Sequence, residues 1–190
     1  MKALILCDRE SLSYEGLNLP SKIETTVEKS NTKVELITLN GDEIKPCLGC
    51  FKCWVKTPGL CVMTEDCANT VARGEIQSDI LIIISKIKYG GYSYDIKSFL
   101  DRSIPNISPF FETINGEMHH KMRYKRFPII ITIGYGNSTS KENQTFINLT
   151  KRNALNMQAQ NHFVFTMKNL DEVDKMTYSL EKVLSSEVPK

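Results

Sequence analysis

The chain lacks an excess of charge of either sign, a long hydrophobic run and a signal-peptide pattern. Its 190 residues contain 24 lysines and arginines against 22 aspartates and glutamates, so we expect no nucleic-acid partner. The longest aliphatic run, Ile80 to Ile84, is too short to cross a bilayer, and we expect no membrane insertion. Met1 and Lys2 lead directly into an apolar segment without a cleavage pattern, so we expect a cytoplasmic protein.

The sequence does contain strand-like and helix-like segments that alternate along its length. Five segments have the pattern of strands, at 2–7, 33–39, 79–85, 127–133 and 163–167. Helices are predicted at 20–29, 65–77, around 96–100, 140–157 and 170–184. This alternation predicts βαβ units, a parallel sheet and a single α/β domain over residues 1–190.

The unusual local features fall in four loops that follow predicted strands. A doubly wound sheet binds its ligand outside the carboxyl ends of its strands. The candidate loops are therefore 8–19, 40–64, 86–93 and 134–140. In the third of these, Gly90 and Gly91 allow backbone N–H groups to approach a flat ligand, although an ordinary tight turn also uses such glycines.

Four of the six cysteines fall in one short segment, which reads CLGCFKCWVKTPGLC from residue 47 to residue 61. In a reducing compartment, such clustering indicates metal binding or redox chemistry more than a disulfide framework. Three interpretations stay open: an iron–sulfur cluster, a zinc site, and thiols without a metal. Of the other two cysteines, Cys7 is predicted to be a small buried side chain and Cys67 to face a helix interior. The candidate metal ligands are Cys47, Cys50, Cys53 and Cys61.

Three stretches of the chain resemble one family. The segment KPCLGCFKCW at 45–54, followed by KTPG at 56–59 and by Cys61, resembles the cysteine signature of NADPH-dependent FMN reductases and iron–sulfur flavoproteins. The segment SKIKYGGYS at 85–93, with IKSFLDR at 96–102, is similar to that family's loop and helix after the third strand. The segment IIITIGYG at 129–136 is similar to its fourth strand and the following turn.

The resemblance implies a flavodoxin-like three-layer sandwich with a five-stranded parallel sheet of order 2-1-3-4-5. It further implies FMN at the carboxyl edge of the sheet, NAD(P)H as co-substrate, and a homodimer or homotetramer. No side chain is expected to act as a catalytic acid, base or nucleophile, because the redox chemistry belongs to the cofactor. The predicted cofactor-binding residues are Arg9, Ser11, Ser13, Ser85, Lys88, Tyr89, Gly90, Gly91, Gly134, Tyr135, Gly136 and Asn137.

The first loop departs from the family pattern. Relatives carry a G-S-x-R-like stretch that cradles the FMN phosphate, whereas this chain reads CDRESLSYEG at 7–16. Arg9 offers a phosphate donor, but Asp8 and Glu10 repel a phosphate unless they are turned away or paired. Lys86 replaces the usual proline of the third loop and, with Lys88, adds positive charge.

Three functions follow as hypotheses. The first is an FMN-dependent NAD(P)H oxidoreductase that acts on a quinone, a flavin or a similar acceptor. The second is an iron–sulfur flavoprotein that carries electrons to a redox partner protein, with a [4Fe–4S] cluster on the four cysteines. The third is a flavin-less module that senses oxidants or binds metal. The segment with His119 and His120 is predicted to be a loop that covers the flavin or a partner subunit.

Overall fold

The computed structural model describes residues 1–186. Its strands are β1 (Lys2–Asp8), β2 (Lys33–Leu39), β3 (Ile80–Lys86), β4 (Ile107–Ile114), β5 (Glu117–Met122), β6 (Ile129–Tyr135) and β7 (His162–Met167). Its helices are α1 (Leu19–Glu28), α2 (Lys52–Val55), α3 (Ala68–Gln77), α4 (Tyr94–Arg102), α5 (Ser140–Asn156) and α6 (Val173–Ser186). No helix in residues 1–186 is long and apolar enough to span a membrane.

The predicted sheet is confirmed. Five parallel strands lie in the order β2-β1-β3-β6-β7, which is the order 2-1-3-4-5 when the sheet's own strands are counted along the chain. Strand β3 is buried on both faces because helices cover both sides, which explains its unbroken run of isoleucine and leucine. The predicted strands match the observed ones to within two residues at each end.

Alternate side chains of β1 point to opposite faces of the sheet and so belong to different halves of the core. Ala3, Ile5 and Cys7 pack with α1 and α6 on one face. Leu4 and Leu6 pack with α3, α4 and α5 on the other. Because side chains of a strand alternate with a period of two, this one short strand supports both helical layers.

A hairpin replaces the loop that was predicted around His119 and His120. Strands β4 and β5 pair antiparallel, and Asn115 and Gly116 form the turn with φ of 51° and 83°. The prediction of a loop at these histidines was wrong, because Asn115 and Gly116 adopt the positive φ of a two-residue turn and the flanking segments pair as strands. The two histidines have different surroundings, since His119 is buried and His120 stacks on Phe111.

Candidate functional site

The buried carboxylate of Asp8 lies where three parallel strands end. Asp8 is the last residue of β1 and is 1% exposed. Its Oδ2 accepts a 2.7 Å hydrogen bond from the Lys86 amide at the end of β3. Its Oδ1 accepts from the Ser11 amide at 3.1 Å and from the Tyr135 hydroxyl at 2.6 Å. The carboxylate therefore ties together the carboxyl ends of β1, β3 and β6.

Tyr135 points into the protein. Its side chain is fully buried, and its ring packs against Tyr14 with centroids 4.8 Å apart. Burial, and then the negative charge of Asp8, raise the pKa of Tyr135 far above its ordinary value. The hydroxyl therefore stays protonated and serves as a donor to Asp8.

The cations of the first and third loops are already paired with carboxylates. Arg9 lies 3.4 Å from Asp42 and 3.8 Å from Asp95. Lys86 and Lys88 both pair with Glu10, and the hydrogen bond from Lys86 is the main cause that lowers the pKa of Glu10. Asp8 is turned inward and Glu10 is paired, so neither carboxylate is left as a free charge on the loop. As folded, the first loop fits a phosphate group poorly, because the amides of Arg9 and Ser11 and the guanidinium of Arg9 already have carboxylate partners.

The third loop is a tight turn with an exposed tip. The amides and carbonyls of Lys88 and Gly91 exchange two hydrogen bonds of 3.0 and 2.8 Å. Tyr89 and Gly90 between them have φ of 52° and 77°, which is the type I′ geometry that favours glycine. A Cβ on Gly90 would lie 2.8 Å from Thr145, so close packing on α5 also requires glycine there. The glycine signal is thus explained by the turn, while Tyr89 is 95% exposed.

The predicted cofactor residues divide into two groups by exposure. The first group faces solvent at the sheet edge and comprises Arg9, Ser13, Lys88, Tyr89 and Asn137. The second group is buried and comprises Ser11, Ser85, Gly90, Gly134, Tyr135 and Gly136, while Gly91 is half-buried. Within the buried group, Gly134 is required by packing, because a Cβ there would lie 2.6 Å from Phe146.

The four predicted metal ligands line one small hollow. Cys53 is buried, Cys61 is half-buried, and Cys47 and Cys50 are exposed at its rim. Burial, and then the neighbouring Cys61, raise the pKa of the Cys53 thiol. Cys7 is buried in the core as predicted, whereas the prediction for Cys67 was wrong. Cys67 is exposed because it precedes α3, whose inward face begins one residue later.

Arg102 forms one wall of this hollow and was not among the predicted site residues. Its side chain is fully buried, and its two terminal nitrogens donate to Asp66 at 2.8 and 3.1 Å. Burial alone would raise the pKa of Asp66, but the hydrogen bonds from Arg102 and two backbone amides hold it below its ordinary value. The Nε–H of Arg102 is buried without a hydrogen-bond partner. Only the resemblance of the IKSFLDR segment pointed towards this residue.

The hollow is the place at which the four thiols would hold a metal ion or a cluster. In residues 1–186, no group of three or more His, Cys, Asp or Glu side chains is arranged to hold one metal ion. A closed zinc site needs its four ligands at about 2.0–2.3 Å from one centre. A cluster instead places its own iron and sulfide between four thiolates, and N–H donors to sulfur stabilise it. The four thiols line the hollow together with Arg102, whose Nε–H is buried without a hydrogen-bond partner.

Part of the chain is similar in sequence to two iron–sulfur flavoproteins. No protein-family model matches the chain. Over 79 residues, or 42% of its length, it is 30% identical to an iron–sulfur flavoprotein of Methanocaldococcus jannaschii. It is 32% identical over 79 residues to an iron–sulfur flavoprotein of Archaeoglobus fulgidus. These matches cover 39% and 34% of the two relatives, so the chain matches little more than a third of either protein.

Solved structures share the fold over the whole chain. The NAD(P)H:quinone oxidoreductase of Methanothermobacter marburgensis has a TM-score of 0.67 at 12% identity and covers 100% of this chain and 97% of its own. An FMN-dependent NADH-azoreductase of Bacillus anthracis, solved with FMN, has a TM-score of 0.60 at 14% identity, with 99% of both chains covered. Flavodoxin 1 of Bacillus cereus has a TM-score of 0.59 at 10% identity, with 100% of both chains covered. The flavodoxin-like fold is therefore confirmed, and the curated relatives confirm the resemblance to iron–sulfur flavoproteins.

Proposed function

We propose that this chain is a flavoprotein oxidoreductase, which takes electrons from a reduced nicotinamide and delivers them to a quinone, a free flavin or a similar acceptor. The observation that carries the proposal is the convergence of four cysteines on one hollow in a flavodoxin-like fold. The similarity to iron–sulfur flavoproteins supports the redox class. The names of the solved structures with this fold support the nicotinamide donor and the quinone acceptor.

The four cysteines are proposed to hold a [4Fe–4S] cluster, which supplies one-electron transfer when it is bound. Arg102 would donate its free Nε–H towards the cluster sulfur and offset part of the negative charge of the thiolates. Leu48, Phe51 and Ile104 give the same hollow a partly apolar lining.

The flavin ring is proposed to lie at the carboxyl edge of the sheet. The exposed side chains there include those of Lys88, Tyr89 and Asn137. Tyr89 stands at the tip of the third loop with almost its whole ring available for contact.

Nicotinamide-dependent turnover tests the proposed function. The chain, purified without oxygen, is mixed with NADH or NADPH and a benzoquinone, with and without added riboflavin or FMN. We expect oxidation of at least one nicotinamide in proportion to the amount of protein. A rate equal to that of a heat-denatured sample, under every combination of nicotinamide and flavin, would contradict the proposal.

A second candidate function, electron carriage between proteins, is favoured by the exposure of Cys47 and Cys50 at the rim of the hollow. Electrons reach a cluster near the surface from a docked protein without a small-molecule substrate. The two candidates differ in their donor. A carrier is reduced by a protein donor or by dithionite, and NADH or NADPH leaves its spectrum unchanged.

A further inference from the structure

We propose that Asp8 is a built-in anion in the place where the loop after β1 would receive a phosphate. Consequently, the chain binds a flavin that has no phosphate group, such as riboflavin. The statement about flavin rests on the proposed function, whereas the statement about Asp8 rests on the geometry of the loop alone.

Asp8 lies at the carboxyl end of β1, where a sheet of this topology can bind an anion. An open α/β sheet binds ligands where the strand order reverses, and here β1 lies between β2 and β3. Backbone N–H groups at such strand ends and helix starts are the usual donors to phosphate. Two of them, from Ser11 and Lys86, already donate to the carboxylate of Asp8. A third amide of the loop, that of Arg9, donates to Asp95 at 3.1 Å.

The start of α1 is closed to an anion in the same way. The side chain of Asn18 accepts a 3.1 Å hydrogen bond from the Ser21 amide, and the carbonyl of Asn18 accepts from Lys22. Pro20 has no N–H to offer. Of the amides in the first turn, those of Ser21 and Lys22 are therefore in use, and that of Pro20 is missing.

The charges around the first loop also oppose the binding of a phosphate. Arg9, Lys86 and Lys88 are each paired with a carboxylate of the chain, as described above. A phosphate dianion placed beside Asp8 and Glu10 would meet two like charges and would have to displace an existing ion pair. Asp8 itself is buried with three donors at 2.6–3.1 Å, so turning it outwards would break all three bonds.

The first experiment compares two ligands on the unmodified chain. Riboflavin and FMN are titrated separately, and the quenching of flavin fluorescence gives each Kd. We expect FMN to bind no more tightly than riboflavin, because the phosphate adds no contact. FMN binding that is tighter by about tenfold or more, equal to about 1.4 kcal/mol, would overturn the inference. If neither flavin binds, the flavoprotein proposal fails, and the second experiment decides the role of Asp8.

The second experiment uses inorganic phosphate as the probe and needs no flavin. Thermal melting is recorded in phosphate and in chloride of equal ionic strength for the unmodified chain, Asp8→Ser, Asp8→Asn and Asp42→Asn. We expect phosphate to raise the Tm of Asp8→Ser more than that of the other three chains, because serine vacates the donors whereas asparagine fills the same space. The general stabilisation of folded proteins by phosphate acts on all four chains alike. Asp42→Asn is the matched control, since it removes an exposed carboxylate that pairs with Arg9.

Two results of this experiment would overturn the inference. One is a rise in the Tm of the unmodified chain in phosphate that exceeds the rise for Asp8→Asn, which would show that Asp8 does not fill the site. The other is a folded Asp8→Ser chain whose Tm rises no more in phosphate than that of Asp42→Asn. If Asp8→Ser does not fold, the comparison of the unmodified chain with Asp8→Asn decides the question: an equal rise in Tm supports the inference, and a larger rise for the unmodified chain overturns it.

Discussion

The hydroxyl of Tyr135 donates a 2.6 Å hydrogen bond to Oδ1 of Asp8, and so joins the ends of β6 and β1 across β3, which lies between them. The two residues are 127 positions apart in the chain. The bond holds a carboxylate inside the protein at the edge where a flavodoxin-like sheet receives its ligand. The internal structure of the candidate site therefore depends on this pair.

Removal of the Tyr135 hydroxyl is expected to destabilise the fold more than removal of a comparable hydroxyl elsewhere. Tyr135→Phe should lower the free energy of unfolding by about 1.5–3 kcal/mol, because the acceptor Asp8 is charged and buried. Tyr14→Phe is the control, since that hydroxyl donates to the neutral carbonyl of Lys168 and should cost about 1 kcal/mol. Urea unfolding measures both, and equal losses would contradict the account.

Loss of a single cysteine from the hollow should prevent iron loading. After anaerobic incubation with iron and sulfide, Cys53→Ser should retain a small fraction of the iron that the unmodified chain binds, because one of four ligands is missing. Cys67→Ser should retain full iron content, since Cys67 is exposed and lies outside the hollow. Equal iron in the two variants would mean that the hollow does not hold the cluster.

Arg102 is expected to support both the fold and the cluster. Arg102→Met leaves Asp66 buried without its partner and should cost about 3–5 kcal/mol in the free energy of unfolding. Arg152→Met removes an exposed pair with Glu117 and should cost less than about 1 kcal/mol. Arg102→Lys keeps the charge but loses the Nε–H, so it should lower the reduction potential of the loaded cluster. An unchanged reduction potential would show that the Nε–H of Arg102 does not stabilise the cluster.

Glu75 should make stability depend on pH. Burial raises the pKa of Glu75 to about 8, although a hydrogen bond from Asn106 opposes the shift. The unfolded chain ionises this group from its ordinary value of 4.5, whereas the folded chain keeps the proton up to about 8. The stability that the neutral carboxyl provides is therefore complete below pH 4.5 and is lost as the pH rises towards 8.

The variant Glu75→Gln isolates this effect, because glutamine has the same shape and no charge. Urea unfolding of both proteins between pH 4 and pH 9 gives the difference in their free energies of unfolding. Between pH 5 and pH 8, we expect the free energy of unfolding of Glu75→Gln, relative to that of the unmodified chain, to increase by more than about 1.4 kcal/mol. A difference that stays constant across this range would show that Glu75 ionises normally.

The strands and helices of the main sheet could be predicted because their signals are local. The run from Ile80 to Ile84 indicates a strand that is buried on both faces. The clustered cysteines indicate one shared site, and the structure places all four around one hollow. The β4–β5 hairpin also has a local signal, since Asn115 and Gly116 favour a two-residue turn between strands.

The interior of the site could not be predicted in the same way, since its bonds join distant residues. Asp8 and Glu10 were expected to repel phosphate unless turned away or paired, but their partners were unknown. The Lys86 amide that binds Asp8 is 78 positions away, and Arg102 is 36 positions from Asp66. Such pairings arise from tertiary packing, and a single sequence does not reveal them.

The most direct test of the proposed function is the absorption spectrum of the chain purified without oxygen, recorded before and after addition of NADPH or NADH, with iron and sulfide assayed on the same sample. We predict about four irons and four sulfides per chain. We also predict flavin bands, from flavin that is retained or supplied as riboflavin, and bleaching of these bands by at least one nicotinamide. A colourless chain without iron, with a spectrum that neither nicotinamide changes in the presence of riboflavin, would contradict the account.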